Sequence, residues 1–167
     1  MAAGTAILPS CSQPESKSSF LLKNMKLSLE EEKTLAELAE TILPASTTPG
    51  AKDTYAHLFA LRMLDDCYEK EDQQTFRKGL KALDNLVKEK HGTTFLKASA
   101  AQRAQVLTAI ENKQVPEDVL AFYKLAKNLT IQGYLTSKPV MGDIFRYELV
   151  PGRYLGNAPV KTSILQA

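Results

Sequence analysis

Two histidines, two cysteines and one acidic run are the residues of this 167-residue chain whose types invite a reading as reaction chemistry. His57 lies beside the apolar Leu58, Phe59 and Leu61, where a hydrogen-bond-satisfied structural histidine is expected rather than a general base. His91 precedes Gly92 at what reads as a helix end, where attraction to the helix dipole accounts for it. Asp65, Asp66 and Glu69 could suggest a metal site, but neighbouring helical residues diverge, and no second helix offers a matching Glu-x-x-His. They read as solvated acids. Cys11 and Cys67 form no CxxC and have no histidine nearby. Cys67 is expected either as a small core hydrophobe or as a link to a cysteine on another chain. A Ser-His-Asp or Cys-His arrangement has little to draw on, and neither GxGxxG nor a Walker-type loop is present. The chain is therefore expected to hold no cofactor or metal by itself and to have no catalytic residues. Its use should lie in a surface.

The elements that would carry such a surface are helical. Ser28 and Glu31 form a capping box ahead of Leu35, Leu38, Ala39 and Ile42, and Pro44 closes that element. A second helix is expected from about Asp53 to Tyr68, with Tyr55, Leu58, Phe59 and Met63 on its apolar face and Leu61 and Leu64 widening it, in a central position. A third should run from about Asp72 to Lys90 with Phe76, Leu80, Leu83 and Val87 inward, stopped at His91-Gly92. Ser99 and Gln102 box a fourth, which buries Val106, Leu107 and Ile110. Pro116 opens a fifth as a first-turn residue, with Val119, Leu120, Phe122, Tyr123, Ala126 and Leu129. Beyond Thr136 the helical period is lost, and Gly133, Gly142, Gly152 and Gly156 read as turns. The expected fold is all-α: a compact bundle of about five helices with an irregular C-terminal arm packed over it. Residues 1–27 read as a remnant of an export or lipoprotein signal plus linker, 28–136 as the helical domain, and 137–167 as the extended arm of that domain.

A composition of 44% hydrophobic and 24% charged residues fits one ordinary core. The net charge of +2 argues against a nucleic-acid partner. Its distribution is uneven: residues 28–73 hold eleven acids and four bases, and residues 74–167 hold seven acids and fourteen bases. Such a field can orient a docking partner without specifying chemistry. No apolar run reaches the roughly 18 residues of a membrane span. The opening Ala2–Leu8 is small and apolar, Leu8-Pro9-Ser10-Cys11 resembles a lipobox, and a polar tether follows. Lipidation at Cys11 is the expectation, with membrane contact only through that anchor.

Two segments are candidates for the working surface. One is the loop from Leu43 to Lys52. The other is the stretch from Gly133 to Pro159, which carries Tyr134, Phe145, Tyr147 and Tyr154 with Arg146 and Arg153. Tyr and Arg are enriched at interface hot spots. These aromatics either wrap a partner or cover the bundle's own core, and both readings stand at this point.

Four stretches, AETILPASTTPGAKD (39–53), HLFALRMLDDCY (57–68), HGTTFLKASAAQRAQVL (91–107) and LTIQGYLTSKPVMGDIFRYELVPGRYLGNAPV (129–160), resemble the small subunit of membrane-bound gluconate 2-dehydrogenase, subunit 3. The resemblance implies a non-catalytic helical subunit that escorts, stabilises and helps export a large dehydrogenase subunit. That partner would carry FAD and oxidise a sugar, sugar acid or polyol, with a multihaem cytochrome c as a further partner. It implies a bacterial cell envelope location, periplasmic and lipid-anchored. In this sequence Asn157 stands where the family tends to have a cysteine. On this reading the partner contacts are Pro44, Thr48, Pro49, Gly50, Tyr134, Tyr147, Pro151, Gly152 and Tyr154. The competing reading is a free-standing helical envelope lipoprotein that binds a ligand or scaffolds an assembly.

Overall fold

A computed structural model of the chain describes residues 18–19, 21–150 and 152. The elements run in the order α1 (Leu29–Ile42), α2 (Ala56–Cys67), α3 (Lys70–His91), α4 (Ala100–Glu111) and α5 (Glu117–Leu135), followed by a π-helical turn, Val140–Ile144. No strand occurs among the described residues, and the bundle is all-α.

Both expected capping boxes are present. The Glu31 N–H donates to the Ser28 hydroxyl while the Glu31 carboxylate accepts the Ser28 N–H at 2.8 Å, and Ser99 and Gln102 repeat the exchange. Gly92 ends α3 in the left-handed region at φ 67°. Pro116 is the residue before the first helical turn of α5 rather than a member of it. α3 begins at Lys70, two residues ahead of the expected start.

In α2 the expected Leu61 and Leu64 are buried and Leu58 and Met63 pack on the core, but Tyr55 is misplaced. The helix starts at Ala56 because Tyr55 takes a left-handed conformation, φ 55°, which breaks the run from Asp53. Tyr55 then points outward, 65% exposed, and the buried face is Ala56, Ala60, Leu61 and Leu64. The central helix is α5, not α2: it packs along both α2 and α3 and also touches α1, α4 and the π turn. Two glycines set those approaches. A Cβ on Gly79 would lie 2.2 Å from Phe122 Cβ, and one on Gly133 would lie 2.9 Å from Phe59 Cβ and 3.0 Å from the Ala56 carbonyl oxygen. Gly133 is thus a buried crossing point inside α5 and not a turn. Phe76 and Phe122 meet edge to face across the first crossing, 4.8 Å between centroids.

The segment read as linker joins the core. Met25 and Leu27 are buried with the main cluster. The fastening is Asp65, read from sequence as solvated but 1% exposed. Its carboxylate accepts the backbone N–H groups of Lys23 (2.6 Å), Asn24 (2.8 Å) and Met25 (2.6 Å). Burial pushes the Asp65 carboxyl up, and these three donors reverse that and hold it below its ordinary value. Further along, buried Glu32 accepts from the Ser19 N–H (2.8 Å) and from the Ser19 hydroxyl. Ser18, Ser19 and residues 21–27 therefore form a strap tied to α1 and α2. A single acid in a sequence does not disclose that it will cap a distant backbone.

Candidate functional site

The end of α1 and the loop after it are held by a set of backbone and side-chain hydrogen bonds. The Leu43 N–H closes α1 on the Ala39 carbonyl, so Pro44 needs no donor there. Glu40 then acts as a template for the loop: Oε1 accepts the Ala45 N–H and Oε2 accepts the Lys52 N–H, both at 2.9 Å. Only glycine fits at position 50, since a Cβ would stand 2.6 Å from both Glu40 carboxylate oxygens and 2.7 Å from the Ala45 nitrogen. The Gly50 N–H donates to Asp53 Oδ2, and the Ala51 N–H returns to the Leu43 carbonyl. Glu37, one turn before Glu40, binds Lys52 Nζ at 2.6 Å and pairs with Arg103. Arg103 in turn donates to the Phe95 and Leu96 carbonyls, which couples the loop to the start of α4. Burial raises the Glu37 carboxyl, and the Lys52 and Arg103 cations outweigh it and bring it down.

These contacts place the expected residues individually. Pro44 is exposed, and Thr48 and Pro49 are half-buried. Gly50 is buried, so it shapes the loop over Glu40 and does not itself touch a partner. Tyr134 belongs to α5 and is half-buried against a small cluster of Ala39, Ala51 and Ala56, with Leu43 alongside. That cluster brings the loop and the end of α5 to one place. Beyond it Val140 is buried, and the Phe145 N–H and Tyr147 N–H turn back to the Val140 and Met141 carbonyls. Phe145 and Tyr147 are themselves exposed, as are Leu149, Val150 and Gly152. Among the described residues Phe145 and Tyr147 therefore do not cover the core, whereas Tyr134 packs on it. Pro151, Tyr154 and Cys11 lie outside the described residues.

Glu37, Glu40 and Arg103 were missed by the sequence reading. Their only signal is position, two acids one turn apart at the end of a helix that leads into a Gly-containing loop.

The remaining titratable groups are dispersed. Among the described residues no group of three or more His, Cys, Asp or Glu could hold a metal ion. His57 is buried, and its Nδ1 has no hydrogen-bond partner among the described residues, so the satisfied histidine expected there is not what the structure has. Burial depresses its pKa, nearby Glu32 opposes this, and Lys52 adds to it. Cys67 is exposed at the end of α2 and is not part of the core. His91 sits half-buried in the last turn of α3, as the dipole argument expects.

The family described as Gluconate 2-dehydrogenase subunit 3 matches residues 29–152, from the first residue of α1 to the described end of the arm. Among curated proteins and solved structures, none matches the chain.

Proposed function

Because the chain belongs to the gluconate 2-dehydrogenase subunit 3 family, and so is an accessory subunit of a dehydrogenase complex, we propose that it works by docking and that it has no activity of its own. The partner is a large subunit that carries FAD and oxidises a sugar, sugar acid or polyol, with a multihaem cytochrome c receiving the electrons. The chain escorts that subunit, stabilises it, and helps its export to the periplasm of a bacterial cell envelope, held there by lipidation at Cys11. Stabilisation by a bound partner follows from mass action, since a surface that binds only the folded partner shifts it away from unfolding.

One observation carries the reading. A preorganised loop and an exposed apolar arm share one end of the bundle: Pro44 and Thr48 on the loop held by Glu40, then Tyr55, Leu135, Phe145, Tyr147, Leu149 and Val150 uncovered. Large exposed apolar side chains grouped in this way are typical of binding surfaces. A rigid loop loses little entropy on docking. Gly50, Tyr134 and Gly133 build the surface, and Pro44, Thr48, Pro49, Tyr147, Pro151, Gly152 and Tyr154 make the contact.

The test is co-expression of this chain with an FAD-dependent dehydrogenase subunit from the same genome. The two should co-purify, and a Tyr147→Ala, Leu149→Ala double variant should weaken the complex while the bundle keeps its helicity. Failure to co-purify, or equal export of the large subunit without this chain, would contradict the proposal.

A further inference from the structure

The charges of this molecule are committed very unevenly. Many of its acids are engaged inside it: Glu31 in a cap, Glu32 and Asp65 on the strap, Glu37 on Lys52 and Arg103, Glu40 and Asp53 on the loop, and Asp84 on the Phe95 N–H. The cations are mostly not engaged. Lys52, Arg62, Arg103 and Lys127 carry the ion pairs found among the described residues. The free cations concentrate on α3. Its outward stripe, read at helical spacing, is Lys70, Gln74, Arg77, Lys78, Lys81, Asn85 and Lys88, five cations and two amides, with Asp84 at its edge turned onto the Phe95 N–H. From Lys70 to Lys88 the stripe is about 27 Å long at 1.5 Å per residue.

This stripe borders a groove of about 1100 Å³ between α3, the strap and the turn before α4. Arg77 and Lys81 line it from α3, Lys26 from the strap and Lys97 from the turn. Glu30, Glu31 and Asp84 line it too, and two of these are turned onto backbone donors. The Arg77 Nε is buried and finds no partner among the described residues. At the rim the strap presents Leu21, 85% exposed, beside half-buried Leu22.

We propose that this face, α3 with the strap, docks on an anionic lipid surface. The stripe and Lys26 and Lys97 meet the headgroups, and Leu21 enters the boundary between headgroup and acyl chain. A line of cations spaced by amides, with no aromatic among them, lacks the anchors of a specific protein interface. It does match a surface whose negative charge is spread evenly. One exposed leucine beside a basic helix face is the arrangement of interfacial binding rather than of a span. No helix among the described residues is long and apolar enough to cross a membrane. This face is separate from the loop-and-arm surface, so lipid binding and partner binding need not compete.

The test uses the full chain as Cys11→Ser, so that no acyl chain contributes, sedimented with phosphatidylcholine vesicles with and without phosphatidylglycerol. Binding should require phosphatidylglycerol and fall as salt rises. The triple variant Lys78→Gln, Lys81→Gln, Lys88→Gln should lower partitioning by more than about fiftyfold, at roughly fivefold per basic residue near the surface. The exposed triple Lys113→Gln, Lys124→Gln, Lys138→Gln changes net charge equally and should stay within about tenfold of the parent. Leu21→Asp should weaken binding at every salt concentration. The proposal is overturned if the parent does not sediment with phosphatidylglycerol vesicles at low salt, as when the stripe serves an acidic protein instead. Equal losses in the two triple variants would overturn it as well.

Discussion

Replacing Asp65 by Asn is the most demanding single test of how the molecule is held together. The carboxylate is buried, accepts three backbone N–H groups at 2.6–2.8 Å, and fixes the strap that delivers Met25 and Leu27 to the core. Asparagine keeps Oδ1 for Asn24 and Met25 but loses the charge. It also turns an amide donor toward the part-buried Lys23 N–H, which loses its acceptor. That orphan costs about 1–3 kcal/mol, and conversion of two charge-assisted bonds to neutral ones adds roughly 1 kcal/mol, so a loss of about 3 kcal/mol is expected. The ceiling is release of the strap alone, which gives up the burial of Met25 and Leu27, on the order of 2 kcal/mol each before the ordering entropy is returned. The pH dependence supplies a second reading. The Asp65 carboxyl is held below its ordinary 3.8, so its contribution is fully present above that value and fades as pH falls through the lower folded value. Urea unfolding of parent and variant should show the full gap at neutral pH and a narrowing gap below about pH 4. Amide exchange at residues 23–25 should accelerate in the variant. A neutral-pH difference below about 1 kcal/mol, with unchanged exchange in the strap, would refute the role assigned to Asp65.

Gly79→Ala should destabilise by roughly 2 kcal/mol, because its Cβ would meet Phe122 Cβ at 2.2 Å and overpacking outweighs the gain in helix propensity. Gly142→Ala, where nothing lies within 4 Å, should be near neutral, and thermal melts of the pair check both. His57 is buried with a depressed pKa, so the unfolded chain takes up its proton first and stability should fall as pH drops below about 6.5, by at most about 1.4 kcal/mol per unit. His57→Gln should flatten that slope in urea titrations between pH 7 and 5. Glu40→Gln should loosen the loop, seen as faster exchange of the Ala45 and Lys52 amides, with little change in global stability because Glu40 lies at the surface end of α1.

Much of this fold is legible from local rules. The capping boxes at Ser28 and Ser99, the glycine stop at Gly92 and the inward rows of α1, α3 and α5 follow from sequence because each depends on neighbours within a few residues. What escaped depends on distant partners or on one backbone angle. The left-handed Tyr55 shifts the start of α2 by three residues and turns a residue expected inside toward solvent. Gly133 reads as a turn until another helix is laid against it, and the close approach at Gly79 likewise needs the neighbouring helix. Asp65 reads as a solvated acid because nothing local reveals the backbone it receives from Lys23, Asn24 and Met25. For the candidate surface, the two segments were found by their turn residues and aromatics. The division between Gly50 and Tyr134, which shape it, and Pro44 and Tyr147, which stand exposed on it, needed the fold.

The account depends most on where a partner sits. Hydrogen exchange of this chain, measured alone and in complex with its co-expressed FAD-dependent subunit, addresses that directly. The account predicts new protection at residues 43–50 and 145–150, with α3 unchanged. Protection confined to α3 and α4, or no stable complex at all, would contradict it.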